Sequence, residues 1–259
     1  MRLGIMQPYF LPYIGYWQII NAVKKYVIYD DVNFIKGGWI NRNRVLMNGQ
    51  GFMINTPLRN ASRNKLINEI ELLNNPLDKK RLLKTFETCY KKAPQYLMVL
   101  PIIENIINYD EKNLAKYLEY SIKQICMYLY IDTEIIISSE IKKNCALKGK
   151  EKVVEIIRKL GADEYINAIG GQQLYSFEYF EAEGIKLSFL KTGMIEYKQF
   201  KNDFIPNLSI IDVMMFNSVE AIRKILGNYE LLQKETCTEK NEGKAQCDNG
   251  LFRLNETFS

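Results

Sequence analysis

"MQPYFLPYIGYWQII", residues 6–20, decides how the rest of the chain is read. It overlaps "RLGIM" (2–6), a short apolar run with the character of a buried strand, and then brings in Pro8 and Pro12. Proline fixes φ and removes a backbone donor, so this pair ends the strand and holds a rigid turn. Beyond Gly15 the chain becomes helical in pattern, with Ile19, Ile20 and Val23 at helical spacing. "YVIYDD" (26–31) follows as a β-branched, aromatic strand that ends in two acids. Strand, turn, helix, strand is a βαβ unit with a parallel pair. In such sheets ligands collect outside the carboxyl ends of the strands. Gln7, Tyr9, Tyr13 and Tyr16 fall at the first of these ends, Asp30 and Asp31 at the second.

Outward from this unit the period changes several times. Asn48-Gly49 sits between two alternating runs, a strong two-residue hairpin signal, so 38–47 and 50–56 are expected as antiparallel strands added to the sheet. Asn75-Pro76 supplies an N-cap and a proline at the first helical position. Leu82, Leu83, Phe86 and Tyr90, then Leu114, Tyr117, Leu118, Ile122 and Ile125, recur every three or four residues. Two or three amphipathic helices are expected there, with turns at "KKAPQYL" and "NYDEKN". "TEIIISSE" (133–140) restores a buried strand, and helix, glycine, strand then occurs twice, through Gly161 and Gly184. The expected fold class is α/β: a mixed, mainly parallel, Rossmann-like sheet with a helical insertion at about 76–130 and an antiparallel hairpin. Residues 1–232 are expected to form one domain, and the aperiodic polar stretch 233–259 a loosely ordered tail.

Composition narrows the chemistry. With 259 residues, 47% hydrophobic, the chain can bury a full core. A formal charge of +5 favours anionic metabolites but falls short of a nucleic-acid footprint, so no nucleic-acid partner is expected. No uncharged apolar run approaches the ~20 residues of a membrane span, and Gln7, Pro8 and Pro12 interrupt any signal-peptide core. A cytoplasmic protein without membrane insertion is expected; homo-oligomerisation is left open. The five cysteines include no CxxC pair, which argues against a disulfide framework or a structural zinc site. Histidine is absent altogether, which excludes Ser-His-Asp and Cys-His catalysis and every imidazole base or ligand. No metal site is expected, and acid–base work falls to Asp, Glu, Lys, Tyr or Cys.

Three further stretches carry candidate chemistry. In "FIKGGWINRNR", an extended 39–45 would place Arg42 and Arg44 on one face and Asn41 and Asn43 on the other. Two guanidiniums about 7 Å apart along a strand can clamp phosphate or carboxylate. Lys36 and Trp39 flank them across a flexible Gly37-Gly38 turn. Asp30 and Asp31 point opposite ways on a strand, so one is expected to face the cleft as base or hydroxyl ligand while the other caps the next turn. "NAIGGQQLY" (167–175) follows a strand, and Gly170 and Gly171 would let backbone N–H groups face an anion, with Tyr175 nearby. There is no GxGxxG and no GxxxxGK[ST]. Ser209 suits an N-cap, with Asp212 three residues on as its capping-box partner or as a pocket residue.

Together, "MQPYFLPYIGYWQII", "YDDVNFIKGGWINRNR", "AIGGQQLY" and "FIPNLSIIDVMMFN" resemble the WbqC-like family of bacterial proteins over residues 1 to about 230. The resemblance implies a role in surface-polysaccharide biosynthesis, particularly O-antigen gene sets, without an agreed set of catalytic residues. The opening stretch also looks like a degenerate strand–turn–helix of nucleotidylyltransferase-like folds, with Tyr13-Ile14-Gly15-Tyr16 where HxGH would stand. "IISSE" (136–140) would correspond to a phosphate-binding serine segment. Loss of both histidines argues against nucleotidyl transfer itself. In this context the expected function is transfer of an acyl or aminoacyl group, from a donor left unassigned, to a nucleotide-linked amino sugar. Asp30 or Asp31 would serve as base. A nucleotidyltransferase-like or ligase-like enzyme, and a non-catalytic nucleotide-sugar-binding module, are the alternatives.

Overall fold

Leu3, Gly4 and Ile5 are all buried, the mark of a parallel strand covered on both faces rather than a half-exposed one. In the computed structural model, which describes residues 1–201 and 203–234, they form β1 (Arg2–Met6). There follow α1 (Ile14–Ala22), β2 (Lys25–Ile28), β3 (Arg42–Met47), β4 (Gln50–Asn55), β5 (Leu58–Arg59) and β6 (Glu71–Leu72). Next come α2 (Pro76–Tyr90), α3 (Tyr96–Asn108), α4 (Leu114–Leu129), β7 (Glu134–Ile137), α5 (Gly149–Lys159) and β8 (Glu164–Ala168). The described chain closes with α6 (Phe177–Ala182), β9 (Lys186–Thr192), α7 (Ile210–Phe216), α8 (Val219–Leu226) and β10 (Tyr229–Leu232).

Six strands make the main sheet in the order β10-β9-β8-β1-β2-β7, parallel throughout except for β10. From β1 the chain winds outward through β2 to β7, then crosses back to β8 and continues to β9. The winding therefore reverses between β1 and β8, which opens a crevice at their carboxyl ends. Met6 pairs with Ile28 and Ile28 with Ile137, so β1, β2 and β7 end flush along that edge. One face of the sheet is covered by α1, the helical insertion, α7 and α8, around Tyr16, Trp17, Tyr26 and Ile210. The other is covered by α5 and α6, around Val153, Ile157, Tyr165 and Phe180.

The insertion holds three helices, where two or three were expected, and has the expected Asn75 cap together with a second one at Asn113. The Asn75 side chain accepts from the Leu77 N–H ahead of Pro76, and Asn113 caps α4 through the Lys116 N–H. The hairpin has its expected turn, with Asn48 at φ 51 and Gly49 at φ 75, as a type I′ turn requires. It does not join the main sheet, however: β3 and β4 form a separate two-stranded sheet. Both edges of β2 are already occupied, by β1 and by β7, so no edge remains there for a hairpin. Residues 38–41 also stay outside β3, because Gly38 closes a turn onto the Ile35 carbonyl. The antiparallel edge strand β10 is an addition to the expected sheet. No helix among the described residues is long and apolar enough to cross a membrane. The expected tail, 233–259, lies outside the described residues from 235 onward.

Candidate functional site

The Pro-rich turn after β1 is fixed by side chains and carbonyls from three directions. Phe10 and Leu11 are buried, and their carbonyls both accept from the Asn43 side chain of β3, at 3.0 and 2.8 Å. The Pro12 carbonyl accepts from the Trp17 indole at 3.0 Å and from the Ile210 N–H at 2.9 Å. Phe10 N–H donates to the Trp39 carbonyl at 3.0 Å. Gly15 is required by close approach: a Cβ there would stand 2.5 Å from the Tyr13 ring and 2.8 Å from Thr192 Oγ1. The helix start thus lies directly under Tyr13, which stays outside the helix as its N-cap.

A cleft of about 250 Å³ opens beside this turn. Tyr9, Pro12, Tyr13 and Trp39 form its aromatic and apolar walls, and Asn43, Arg44 and Asn207 supply the polar groups. The Arg42 and Arg44 guanidinium carbons each lie 5.9 Å from the Trp39 ring centre, so the two arginines flank the indole as the alternation predicts. Their situations differ. Arg42 donates to the Gly38 carbonyl at 3.0 Å and to the Gly37 carbonyl, and so holds its own loop together. The Nε of Arg44 is buried without a hydrogen-bond partner, an unmet donor on a residue that lines the cleft. Trp39 is 40% exposed, enough to offer a ring face. Burial raises the pKa of Tyr9, with Tyr13 beside it adding to the effect, and burial raises Tyr13 likewise. Both phenols stay protonated and act as donors at neutral pH, not as bases.

Other expected site residues lie elsewhere. Tyr16 is fully buried, donates to the Gln7 carbonyl at 3.1 Å and packs edge-on against Trp17 and Tyr26. It belongs to the core, and Gln7 takes part in this contact through its backbone carbonyl. Asn41 donates to the Thr56 carbonyl at 3.0 Å, and Lys36 is exposed in the preceding loop; neither lines the cleft. Gly170 and Gly171 lie in a short 3₁₀ turn, Ile169–Gln173, beyond β8. Gly171 is explained by packing, since a Cβ would meet the Asn167 amide at 2.5 Å. Tyr175 packs edge-on against Tyr165 and Phe180 on the face covered by α5 and α6.

Asp30 and Asp31 do point apart, but neither is a cleft wall. Asp30 is 2% exposed, accepts the Ser139 N–H at 2.9 Å and O–H at 2.6 Å, and takes a longer contact from Asn68 at 3.3 Å. Asp31 takes the ammoniums of Lys143 at 2.8 Å and Lys152 at 3.0 Å. Burial alone would raise the Asp31 pKa, but the Lys143 and Lys152 ammoniums, with the Ser138 hydroxyl nearby, outweigh it and hold the carboxyl below its ordinary value. Contrary to the expectation that one of them faces the cleft, both tie the end of β2 to the segment after β7, and Asp31 alone also reaches α5, through Lys152. "IISSE" ends the outermost strand, two strands away from β1, where Ser139 braces Asp30.

Ser209 caps α7, accepting from Ile211 N–H at 3.3 Å and donating to the Leu11 carbonyl at 2.8 Å. Asp212 does not complete a capping box through its side chain. It turns inward, fully buried, and accepts from Tyr90 Oη at 2.9 Å, Tyr197 Oη at 2.7 Å and Gln199 Nε2 at 2.6 Å. Burial raises its pKa against the pull of these donors. Asn207 and this network were missed from the sequence; an acid inside the apolar run "IIDVMMF" was the available signal.

A model of the WbqC-like protein family matches residues 7–224, a span that contains the cleft, the aspartate pair and the Asp212 network. An uncharacterized protein of Mycobacterium tuberculosis, Rv1507c, is 26% identical over 225 residues, covering 85% of this chain and 95% of that relative. No solved structure matches the chain. With the turn, the Trp39–Arg44 stretch and the Asp212 helix all inside the matched span, the chain belongs to the WbqC-like protein family.

Proposed function

We propose that the cleft binds a nucleotide-linked amino sugar and that the protein transfers an acyl or aminoacyl group to it, in the cytoplasm, during bacterial surface-polysaccharide assembly. The observation that carries this reading is Arg44: a guanidinium with a buried, unmatched Nε, set against a half-exposed Trp39 in an aromatic cleft. Aromatic faces suit a sugar ring or base, and a guanidinium suits phosphate or carboxylate oxygens. The cleft, about 250 Å³, is just below the ~300–1,000 Å³ usual for drug-sized ligands, so it takes one part of such a molecule and leaves the rest along the open rim. In the transfer, the sugar amine attacks the acyl carbon of an activated donor. The carbon–nitrogen bond forms first, Tyr9 or Tyr13 donates a hydrogen bond to the oxyanion that develops, and collapse of this intermediate breaks the bond to the leaving group, which departs with the amine proton.

Thermal stabilisation across UDP- and dTDP-linked amino sugars, ATP and acyl-coenzyme A tests the reading. Stabilisation by a nucleotide sugar supports it, whereas a response to ATP alone points to nucleotide-dependent activation. One observation favours a second reading, a non-catalytic nucleotide-sugar-binding module. No carboxylate is among the cleft walls formed by the described residues, and Asp30 and Asp31 are engaged elsewhere. Mass spectrometry of the sugar after incubation with acyl-coenzyme A separates the two, since binding without acylated product supports the module.

A further inference from the structure

The connection between β9 and α7 contains neither helix nor strand among its described residues, yet it contributes Asn207 to the cleft. Phe200 and Asn207 within it are left-handed, at φ 50 and φ 57, a conformation that residues with a Cβ adopt reluctantly. Something must hold such a segment in place. Gln199 closes it locally, accepting from the Ile205 N–H at 2.7 Å and donating to the Ile205 carbonyl at 3.1 Å. The same Gln199 amide and the Tyr197 hydroxyl both donate to Asp212 Oδ2. On the other side Tyr90 donates to Asp212 Oδ1 and accepts from the Leu46 N–H of β3 at 2.9 Å. β3 carries Asn43 and Arg44, so one buried carboxylate links two walls of the cleft. The titratable groups that face it are Tyr90 and Cys89 of α2 and Tyr197 of the connection; the hydrogen-bonding donors are all neutral.

We infer that Asp212 is a positioning residue, a latch that holds the β9–α7 connection against β3 and, together with the Ser209 N–H that donates to the Arg44 carbonyl at 2.8 Å, keeps Asn207 among the cleft walls. Its consequence for binding rests on the reading of the cleft as the ligand site; the latch itself does not. Two acceptor oxygens serving three donors on opposite sides explain why a carboxylate stands here. Alanine would free residues 197–205 from Tyr90 and β3 while the Ser209 N–H still holds the Arg44 carbonyl, and asparagine keeps one acceptor oxygen.

Hydrogen–deuterium exchange of the full chain tests the latch. In Asp212→Ala, exchange in peptides spanning 195–207 is expected to rise roughly tenfold, with β1, β2 and β8 unchanged, as for a local opening. Asp212→Asn is expected to restore most of the protection. Should Asp212→Ala not fold, Tyr197→Phe decides, because it removes one donor from the connection and leaves the Tyr90 contact intact; a smaller rise confined to 195–207 is expected. Unchanged exchange in these peptides, an equal rise in the core strands, or no rescue by asparagine overturns the inference. UDP-glucosamine is the binding probe, and its affinity should fall in step with the lost protection. If the wild-type protein does not bind it while exchange behaves as described, the proposed function fails and the latch stands.

Discussion

Asp31 and Asp212 are both largely buried acids, and they are compensated in opposite ways. Asp31 sits between two ammoniums whose side chains are only 2% and 9% exposed. Asp212 is fully buried with two phenols and an amide, and no cation among its hydrogen-bond donors. The pKa of the first is lowered and that of the second raised, so a lysine pair outweighs burial where three neutral donors do not. The ionic site clamps elements of the fold to each other, β2 to the segment after β7 and to α5. The Asp212 site, with its uncharged donors, joins an irregular segment to a strand through Tyr90, and on the latch proposal this contact opens without unfolding the sheet.

The sharpest way to break this contrast is to remove each acid's charge or partner. Asp31→Ala leaves Lys143 and Lys152 buried without their carboxylate, and should cost ~3–5 kcal/mol of global stability, read as a lower denaturant midpoint with unchanged slope. A loss under ~1 kcal/mol would mean that the lysines find water or another acceptor, and the ionic clamp would lose its status. Tyr90→Phe strips one donor from Asp212 and leaves the Leu46 N–H without its acceptor, for an expected loss of ~1–3 kcal/mol. The two results in this order uphold the comparison; the reverse order overturns it.

Arg44→Ala probes the cleft rather than the clamps. Its expected effect on stability is small, under ~1 kcal/mol, because the Nε makes no hydrogen bond and the head group only flanks Trp39. Calorimetric titration with UDP-glucosamine should show at least a roughly tenfold weaker Kd, the loss of a charge-assisted contact. Arg42→Ala should do the converse, loosening the Gly37–Gly38 loop that it bonds while affecting affinity less. Equal affinity losses in both would mean that the arginines act as one clamp.

Much of this was legible locally. The prolines, the Asn48-Gly49 turn, the Asn75 and Ser209 caps and the three insertion helices each depend on residues a few positions apart. The alternation that put Arg42 and Arg44 together is equally local. Where the reading failed, the deciding partner was distant in sequence. The hairpin cannot join β2 because β7, a hundred residues later, already holds that edge. Asp212 leaves its cap role for Tyr90, 122 positions away. Tyr13 and Tyr16 look alike in the opening stretch, yet Tyr13 ends outside the helix beside Gly15 while Tyr16 enters it and points into the core. The aspartate pair was legible as a divergence but not as an engagement, because Lys143, Lys152 and Ser139 come from after β7.

The smallest effect, and the most specific to the comparison, is in pH. A carboxyl with a lowered folded pKa contributes stability that is present above its unfolded value, near 3.8, and lost as pH falls through the folded value. Asp31 should therefore loosen its clamp only in strong acid. Asp212 has the opposite sign. Its closed, buried state holds a proton more tightly than an opened, solvated one, so acidification through its raised pKa favours the closed connection and ionisation opposes it. After correction for intrinsic exchange, protection of peptides spanning 195–207 should increase as pH is lowered from neutral toward the carboxylate range. Protection around Ser139 and the start of α5 should hold there and drop only below about 3.8. In Asp212→Asn the first dependence should vanish, since asparagine carries no proton to gain. Parallel pH responses in the two regions would show that the donors around Asp212 neutralise it as fully as the lysines do Asp31, and the distinction between clamp and latch would collapse.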